Sequence, residues 1–332
     1  MCSQCWVSQY FEVGLRVHIA VENIDRREAD ANIREAADRL VPPPPGFEFE
    51  IVDPLVGTYT PCPLTSGSDA AAAADFVAAE KVVLTPGAKI FSDRMEPAGP
   101  GEKVVSGCAL YAGCVRLQGS VERGLTVGHL FEDVGLDCKL RRNDSSSSSS
   151  ASVVGRCQAK VAFIDLVDSL RKTTADLALL DVFCRAENTV VIDDVAYILR
   201  LCHGLPNADQ RLNVAILSSN GRIRYGQLVS TLFTISALGL YNTLSIVDPD
   251  NSWSRVNNPG DSGALVISVP GPSSGGEVVV YGMVIGYFES EDGTQSKTVA
   301  TRLWDVLNCV NRMSPQFGAV TFESGYFSTD PC

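Results

Sequence analysis

The chain of 332 residues contains only three histidines, His18, His129 and His203, so a reaction that needs an imidazole base has three positions to draw on. Ser262 lies in the stretch NNPGDSGALV at 257–266, after a turn and ahead of an apolar run. A serine hydroxyl is a weak nucleophile at neutral pH and attacks a carbonyl usefully only when a positioned base takes its proton. It also needs backbone donors aimed at the developing oxyanion, and glycine, lacking Cβ, can adopt the angles that point two amides at one place. In G-D-S-G those donors would be the amides of Gly260 and Ser262. The same tetrapeptide is made of good turn formers, so by itself it reads equally well as a hairpin or bulge turn.

The base and the acid must therefore be found in suitable surroundings. His129 ends the apolar run GLTVGHLF behind Gly128, which delivers its imidazole to a strand-end loop. His18 falls in mid-strand near the N-terminus, where a structural role is the simpler reading. His203, in RLCHGLP, follows a strand at a turn without a comparable apolar lead-in. For the acid, KTTADLALLDVF places Asp176 directly before LALL, at the mouth of a strand and shielded from water. A shielded carboxylate holds an imidazole in one tautomer and stabilises the imidazolium. Asp165, Asp168 and Asp181 compete for this role from solvated strand and turn positions.

Such groups need a rigid scaffold. From about residue 100 onward, short Val/Ile/Leu-rich runs such as VVSGCALYAGCVRL, NTVVIDDVAYILRL, LNVAILSS and EVVVYGMVIGYF recur between Gly, Asn, Asp and Ser, as in a sandwich or barrel. NDSSSSSSAS at 143–152 cannot bury enough apolar area to offset its ordering entropy and is expected to be a disordered loop. A helix is expected from Leu303 to Met313, with Trp304, Leu307, Val310 and Asn311 on one side. Upstream, VGLRVHIAV at 13–21 and FEFEIVDPLVG after the PPPPG stop at 42–46 read as strands flanking a helix that Asn23 caps, a small α+β module. The Pro/Gly/Ala-rich segment from Thr60 to Gly101 reads as a connector, and the division expected is residues 1–95 and 96–332.

Composition narrows the class. Hydrophobic residues at 45% and charged residues at 20% describe a globular protein, and no apolar run reaches the length of a membrane-spanning helix. A net charge of −12 repels phosphate backbones and anionic membranes, so neither nucleic acid nor a membrane is an expected partner. No basic start and apolar core of a signal peptide is read, and the expected location is intracellular, in the cytoplasm. Eleven cysteines are then read as reduced thiols, several of them buried. Cys2 and Cys5 form one CxxC at a frayed end without further ligands, so no metal and no cofactor is expected.

The order His129 in T-V-G-H, Asp176 in D-L-A-L-L and Ser262 in G-D-S-G resembles the chymotrypsin-like serine peptidases over roughly residues 100 to 313. The gaps, 176 − 129 = 47 and 262 − 176 = 86, leave room for one barrel before the acid and another around the serine. The resemblance implies a mainly β fold of two antiparallel six-stranded barrels with a C-terminal helix, preceded here by the α+β module. It implies peptide-bond hydrolysis with Ser262 as nucleophile, His129 as base, Asp176 as its orienting acid and Gly260 and Ser262 as oxyanion donors. The pocket base would be Val256, six positions before the serine, which cannot pair with Lys or Arg, and Gly282 and Gly286 would line the wall. The partner implied is a protein or peptide substrate, with the N-terminal module packing on or regulating the protease domain.

The chain departs from the secreted animal enzymes in having Leu130 after the histidine and Ala264 after Gly263. Those enzymes mature by a cleavage that frees an amine to pair with the Asp before the serine, here Asp261. KVVSG at 103–107 reads equally as such a site and as a first barrel strand. The competing function is a catalytically silent protease-like module that binds or regulates.

Overall fold

The computed structural model describes residues 82–98, 101–117, 121–141, 151–168, 171–203, 212–235, 238–251, 254–271, 276–291, 293–313 and 321–322, together with the upstream strand backbones at 4–9, 15–20, 48–52 and 57–61. The helix expected after Asn23 and residues 143–150 of the serine-rich tract lie outside the described residues. Ala151 and Ser152, at the end of that tract, already belong to a strand.

Strands β1 (Gln4–Gln9), β2 (Leu15–Ala20) and β3 (Glu48–Val52) form a separate sheet. β2 and β3 are parallel, as the expected strand–helix–strand order requires, whereas β1 adds antiparallel to β2 and pairs Cys5 with Ile19. The terminus expected to fray is therefore strand from Gln4. β4 (Gly57–Pro61) leaves this sheet and joins the second barrel, and β5 (Val83–Leu84) follows.

The first barrel contains β6 (Lys89–Ala98), β7 (Gly101–Leu110), β8 (Gly113–Leu117), β9 (Val121–Thr126), β10 (Asp137–Arg141), β11 (Ala151–Asp168) and β12 (Arg171–Val182). The short β13 (Arg185–Ala186) then pairs in parallel with β5. β6 pairs with β7 along its whole length and also with β10, so the boundary expected at residue 95 falls inside a barrel strand. The backbone donors of that Gly/Pro-containing segment are used in a ladder, which outweighs its turn-like composition.

The hairpin of β14 (Thr189–Ile192) and β15 (Val195–Leu201) turns through Asp193 and Asp194 at φ 49° and 63°, the left-handed pair that a two-residue turn requires. The second barrel contains β16 (Leu212–Leu217), β17 (Ile223–Ile235), β18 (Leu240–Val247), β19 (Leu265–Ser268), β20 (Glu277–Ser290) and β21 (Ser296–Arg302). These six close into a ring in the order β16-β17-β18-β21-β20-β19, every pair antiparallel. The ring encloses Val214, Ile216, Leu228, Leu244, Ile246, Val266, Val284 and Ala300 as its own core.

Helix α1 (Leu303–Met313) packs on β20, β11 and β12 and so fastens the two barrels together. Leu303, Val306 and Leu307 are buried; of the expected stripe, Leu307 is buried, Trp304 is half-buried, and the Val310 and Asn311 side chains lie outside the described residues. β22 (Thr321–Phe322), in a tail without visible periodicity, adds to β8 and completes a curled eight-stranded antiparallel first sheet. The architecture is the mainly β, two-barrel arrangement with a closing helix expected from the sequence. No helix among the described residues is long and apolar enough to cross a membrane.

Candidate active site

His129 sits in a single helical turn, Gly128–Leu130, just beyond β9. A side chain on Gly128 would overlap the backbone carbonyls of Val161 and Leu177, so only glycine lets this turn nest against β11 and β12. Between Val161 and Ile164 strand β11 bulges, and the residue of β12 facing the bulge is Asp176, flanked by Leu177 paired with Val161 and Ala175 paired with Ile164. A bulge re-aims side chains locally. Asp176 is thus fully buried inside β12, five residues after its start, and not at the strand mouth that its sequence position suggested.

The Asp176 carboxylate accepts two hydrogen bonds from His129, Oδ1 from the backbone amide at 2.9 Å and Oδ2 from ring Nδ1 at 2.5 Å. A carboxylate only accepts, so the ring proton resides on Nδ1 and the lone pair on Nε2. The amide bond fixes the loop and the ring bond fixes the tautomer. His129 is almost as sheltered, with 9% of its side chain exposed.

Ser262 lies in the turn before β19. Gly260 and Gly263 adopt φ of +87° and +86°, where a side chain is strained. The turn is tied down through Asp261 N to Asn258 O at 3.1 Å, Ala264 N to Asp261 O at 2.9 Å and Gly263 N to Val284 O at 2.8 Å. The amides of Gly260 and Ser262 enter no hydrogen bond among the described residues. The Ser262 hydroxyl is buried and makes none either, so the Ser262–His129 bond is not formed in this structure.

Leu110 joins the two halves. Its carbonyl accepts from Thr126 Oγ1 at 2.8 Å, on the strand that leads to His129, and its amide donates to Ser262 O at 2.7 Å. A Cβ on Gly263 would overlap that same Leu110 carbonyl.

Asp261, beside the serine, is satisfied internally. Oδ1 accepts from Ser218 Oγ at 2.8 Å, Oδ2 accepts from the Asn258 amide at 2.7 Å, and Arg224 Nη1 stands 3.8 Å from Oδ2. Residues 103–107 lie within β7, laddered to β6, and so take the strand form of their two readings. Neither Ser218 nor Arg224 carried a sequence signal, because both reach Asp261 from the β16–β17 hairpin, about 40 residues away in sequence.

Around the expected pocket, Val256 packs into the second-barrel core. The backbone amides of Val256 and Asn257 both donate to Thr298 Oγ1, at 3.0 and 3.1 Å, and Thr298 in turn donates to Asn257 Oδ1 at 2.7 Å. Arg224 Nη1 donates to Val256 O at 3.3 Å, and the Arg255 guanidinium stacks 3.6 Å above the Tyr287 ring. Gly282 makes room for the Thr301 carbonyl and the Leu244 side chain, a packing role. Gly286 lies on β20 between Val299 of β21 and Pro61 of β4. Sequence reasoning reached Val256 but not Thr298, Arg255 or Tyr287.

The other candidates stand apart. His203 packs edge-on against Trp304 with ring centroids 4.5 Å apart, and Asp181 pairs with Arg123 at 3.2 Å. His18, Asp165 and Asp168 lie in β2 and β11, their side chains outside the described residues. Among the described residues no group of three His, Cys, Asp or Glu could hold a metal ion. Cys108, Cys114, Cys138, Cys157 and Cys184 are buried and form no disulfide among the described residues. Burial pushes the Cys157 and Cys184 thiols up to about 11 and Cys114 to about 12, and raises Cys138 as well, which keeps them protonated and unreactive.

No family model and no curated protein matches the sequence. Among solved structures, the chain is similar to protease A of Thermobifida fusca, at 13% identity over 68% of this chain and 95% of that one, with a TM-score of 0.41. It is similar to a glutamic acid specific serine protease that uses a histidine triad in substrate binding, at 16% identity over 72% and 100% with a TM-score of 0.43. The chymotrypsin of Cellulomonas bogoriensis is 11% identical over 73% of this chain and 99% of its own, also with a TM-score of 0.43.

Proposed function

We propose that the protein is a serine endopeptidase that hydrolyses peptide bonds through an acyl-enzyme. The observation that carries this reading is the double hydrogen bond between His129 and the buried Asp176, which leaves Nε2 as the basic nitrogen. Ser262 Oγ attacks the scissile carbonyl while its proton passes to His129 Nε2. The carbonyl oxygen, now negative, is held by the amides of Gly260 and Ser262. Nε2 then gives its proton to the departing amine as the C–N bond breaks, and water hydrolyses the acyl-serine by the same route in reverse.

Basic side chains are poor substrates on this reading. Val256 offers no charge, and the Arg224 guanidinium donates to its carbonyl, so a Lys or Arg would meet charge of its own sign.

A catalytically silent binding module is the second reading, and the buried Ser262 hydroxyl without a bond to His129 is the observation in its favour. Catalytic hydrogen bonds that are open in a free enzyme tighten with substrate, so the labelling behaviour decides. A fluorophosphonate should modify Ser262 covalently in the native chain and fail to do so in Ser262→Ala and His129→Ala. A folded native protein that resists labelling rules the peptidase out.

A further inference from the structure

β20 carries two partners along one edge. β21 pairs with β20 over Gly282 to Glu289, so every other strand that meets β20 within those residues lies on the opposite edge. β19 uses that opposite edge at Gly282 and Met283, and the ladder continues into the serine turn through Gly263 N to Val284 O and Val284 N to Ala264 O, both 2.8 Å. There β19 gives out. From Gly286 to Ser290 the same edge is taken by β4, antiparallel, with Pro61 opposite Gly286, Thr60 opposite Tyr287, Tyr59 opposite Phe288, Thr58 opposite Glu289 and Gly57 opposite Ser290.

β4 does not belong to the ring that closes the second barrel, which is complete without it. It comes from upstream of both barrels and points its C-terminal end toward the residues of β20 bonded to the Ser262 turn. An open sheet edge beside a nucleophile is a natural binding site for an extended peptide, whose backbone adds as one more strand. Resting on the peptidase reading above, we propose that β4 is an intramolecular peptide ligand of this edge, so that an extended substrate and the segment Gly57–Pro61 compete for the same backbone groups of Gly286–Ser290. The chain is restrained by its own N-terminal segment, and an extended substrate reaches Ser262 only after β4 lifts away.

The test uses the full chain and two covalent probes. A small fluorophosphonate reaches Ser262 without touching the β20 edge, whereas a tetrapeptidyl phosphonate with an apolar terminal residue must lie along it. In Tyr59→Pro with Thr60→Pro, at least one amide facing β20 is lost, because neighbouring amides in a strand point to opposite sides. Labelling by the tetrapeptidyl probe should accelerate at least about tenfold, the equivalent of about 1.4 kcal/mol, while labelling by the small probe changes less than about twofold. In the unmodified chain, attachment of the tetrapeptidyl probe should abolish amide-exchange protection of residues 57–61, a readout that needs no variant. Equal tetrapeptidyl labelling rates in the two proteins, or protection of 57–61 that survives in the labelled native chain, overturn the proposal while small-probe labelling upholds the peptidase. Failure of the small probe itself defeats the peptidase reading, and this proposal with it.

Discussion

Asp176 holds His129 at two points, taking the ring Nδ1 at 2.5 Å on one carboxylate oxygen and the backbone amide at 2.9 Å on the other. The two bonds separate what the carboxylate does for tautomer from what it does for position. In Asp176→Asn one oxygen remains to accept from the backbone, but an amide NH₂ facing Nδ1 forces the ring proton to Nε2. Peptide hydrolysis should fall by about 10³ to 10⁴ in kcat with KM little changed. A loss under tenfold in steady-state kinetics would contradict the assigned tautomer.

The two glycines of the serine turn should differ in cost. At Gly263 an added Cβ meets the backbone carbonyl of Leu110, which cannot move without disturbing both Ser262 and Thr126, so Gly263→Ala should destabilise by more than about 3 kcal/mol. At Gly260 the nearest atom is Cys108 Sγ at 3.4 Å, an ordinary contact, and the left-handed backbone alone should cost about 1 to 2 kcal/mol. Urea unfolding of both variants checks the order.

Thr298 is the acceptor for two buried amides of the Val256–Asn257 segment, which the peptidase proposal takes as the pocket base. In Thr298→Val the shape is kept and the oxygen lost, leaving the Val256 and Asn257 amides unpaired at roughly 1 to 3 kcal/mol each. Stability should fall accordingly, and KM for peptide substrates should rise more than kcat falls, because the base of the pocket shifts while His129 and Asp176 are untouched. A variant with native KM and stability would show that this oxygen supports nothing.

The buried thiols predict a pH dependence of stability. Cys157 and Cys184 are raised from 9.0 to about 11 and Cys114 from 9.0 to about 12 by burial, so between these limits the folded state holds protons that the unfolded state releases. Stability from these groups is fully present below pH 9.0 and is lost as pH rises through about 11 to 12. Denaturant midpoints should therefore drop steeply above pH 9.0, and the drop should shrink when Cys184 is replaced by Ala. At pH 8, iodoacetamide followed by mass spectrometry should find these cysteines unmodified until urea is added.

Much of the architecture is local physics. The Val/Ile/Leu-rich runs LNVAILSS and EVVVYGMVIGYF became β16 and β20, buried on both faces from Val214 to Leu217 and from Gly282 to Gly286. Thr60 to Gly101 has the prolines and glycines of a connector, and within it β4 ladders to the distant β20 and β6 to the next strand β7. At the site, Val256 is next to the serine turn in sequence and its place could be counted, but Thr298, Ser218 and Arg224 reach that turn from other strands and left no trace in spacing.

The sequence by itself determined which residues were available: a single serine in a G-D-S-G turn, three histidines of which one follows an apolar run behind a glycine, and carboxylates near it. It determined the apolar strand runs and the closing helix, because runs of Val, Ile and Leu bounded by turn formers are written in the order of residues. Only the tertiary structure decided that Asp176 faces a bulge in β11, that Leu110 links the histidine strand to the serine turn, and that β4 lies along β20. The bulge is a matter of register within the β11–β12 hairpin, and the bonds of Leu110 to Ser262 and of β4 to β20 join backbone groups far apart in the chain. Backbone groups are the same in every residue, so such relations leave no mark in residue types.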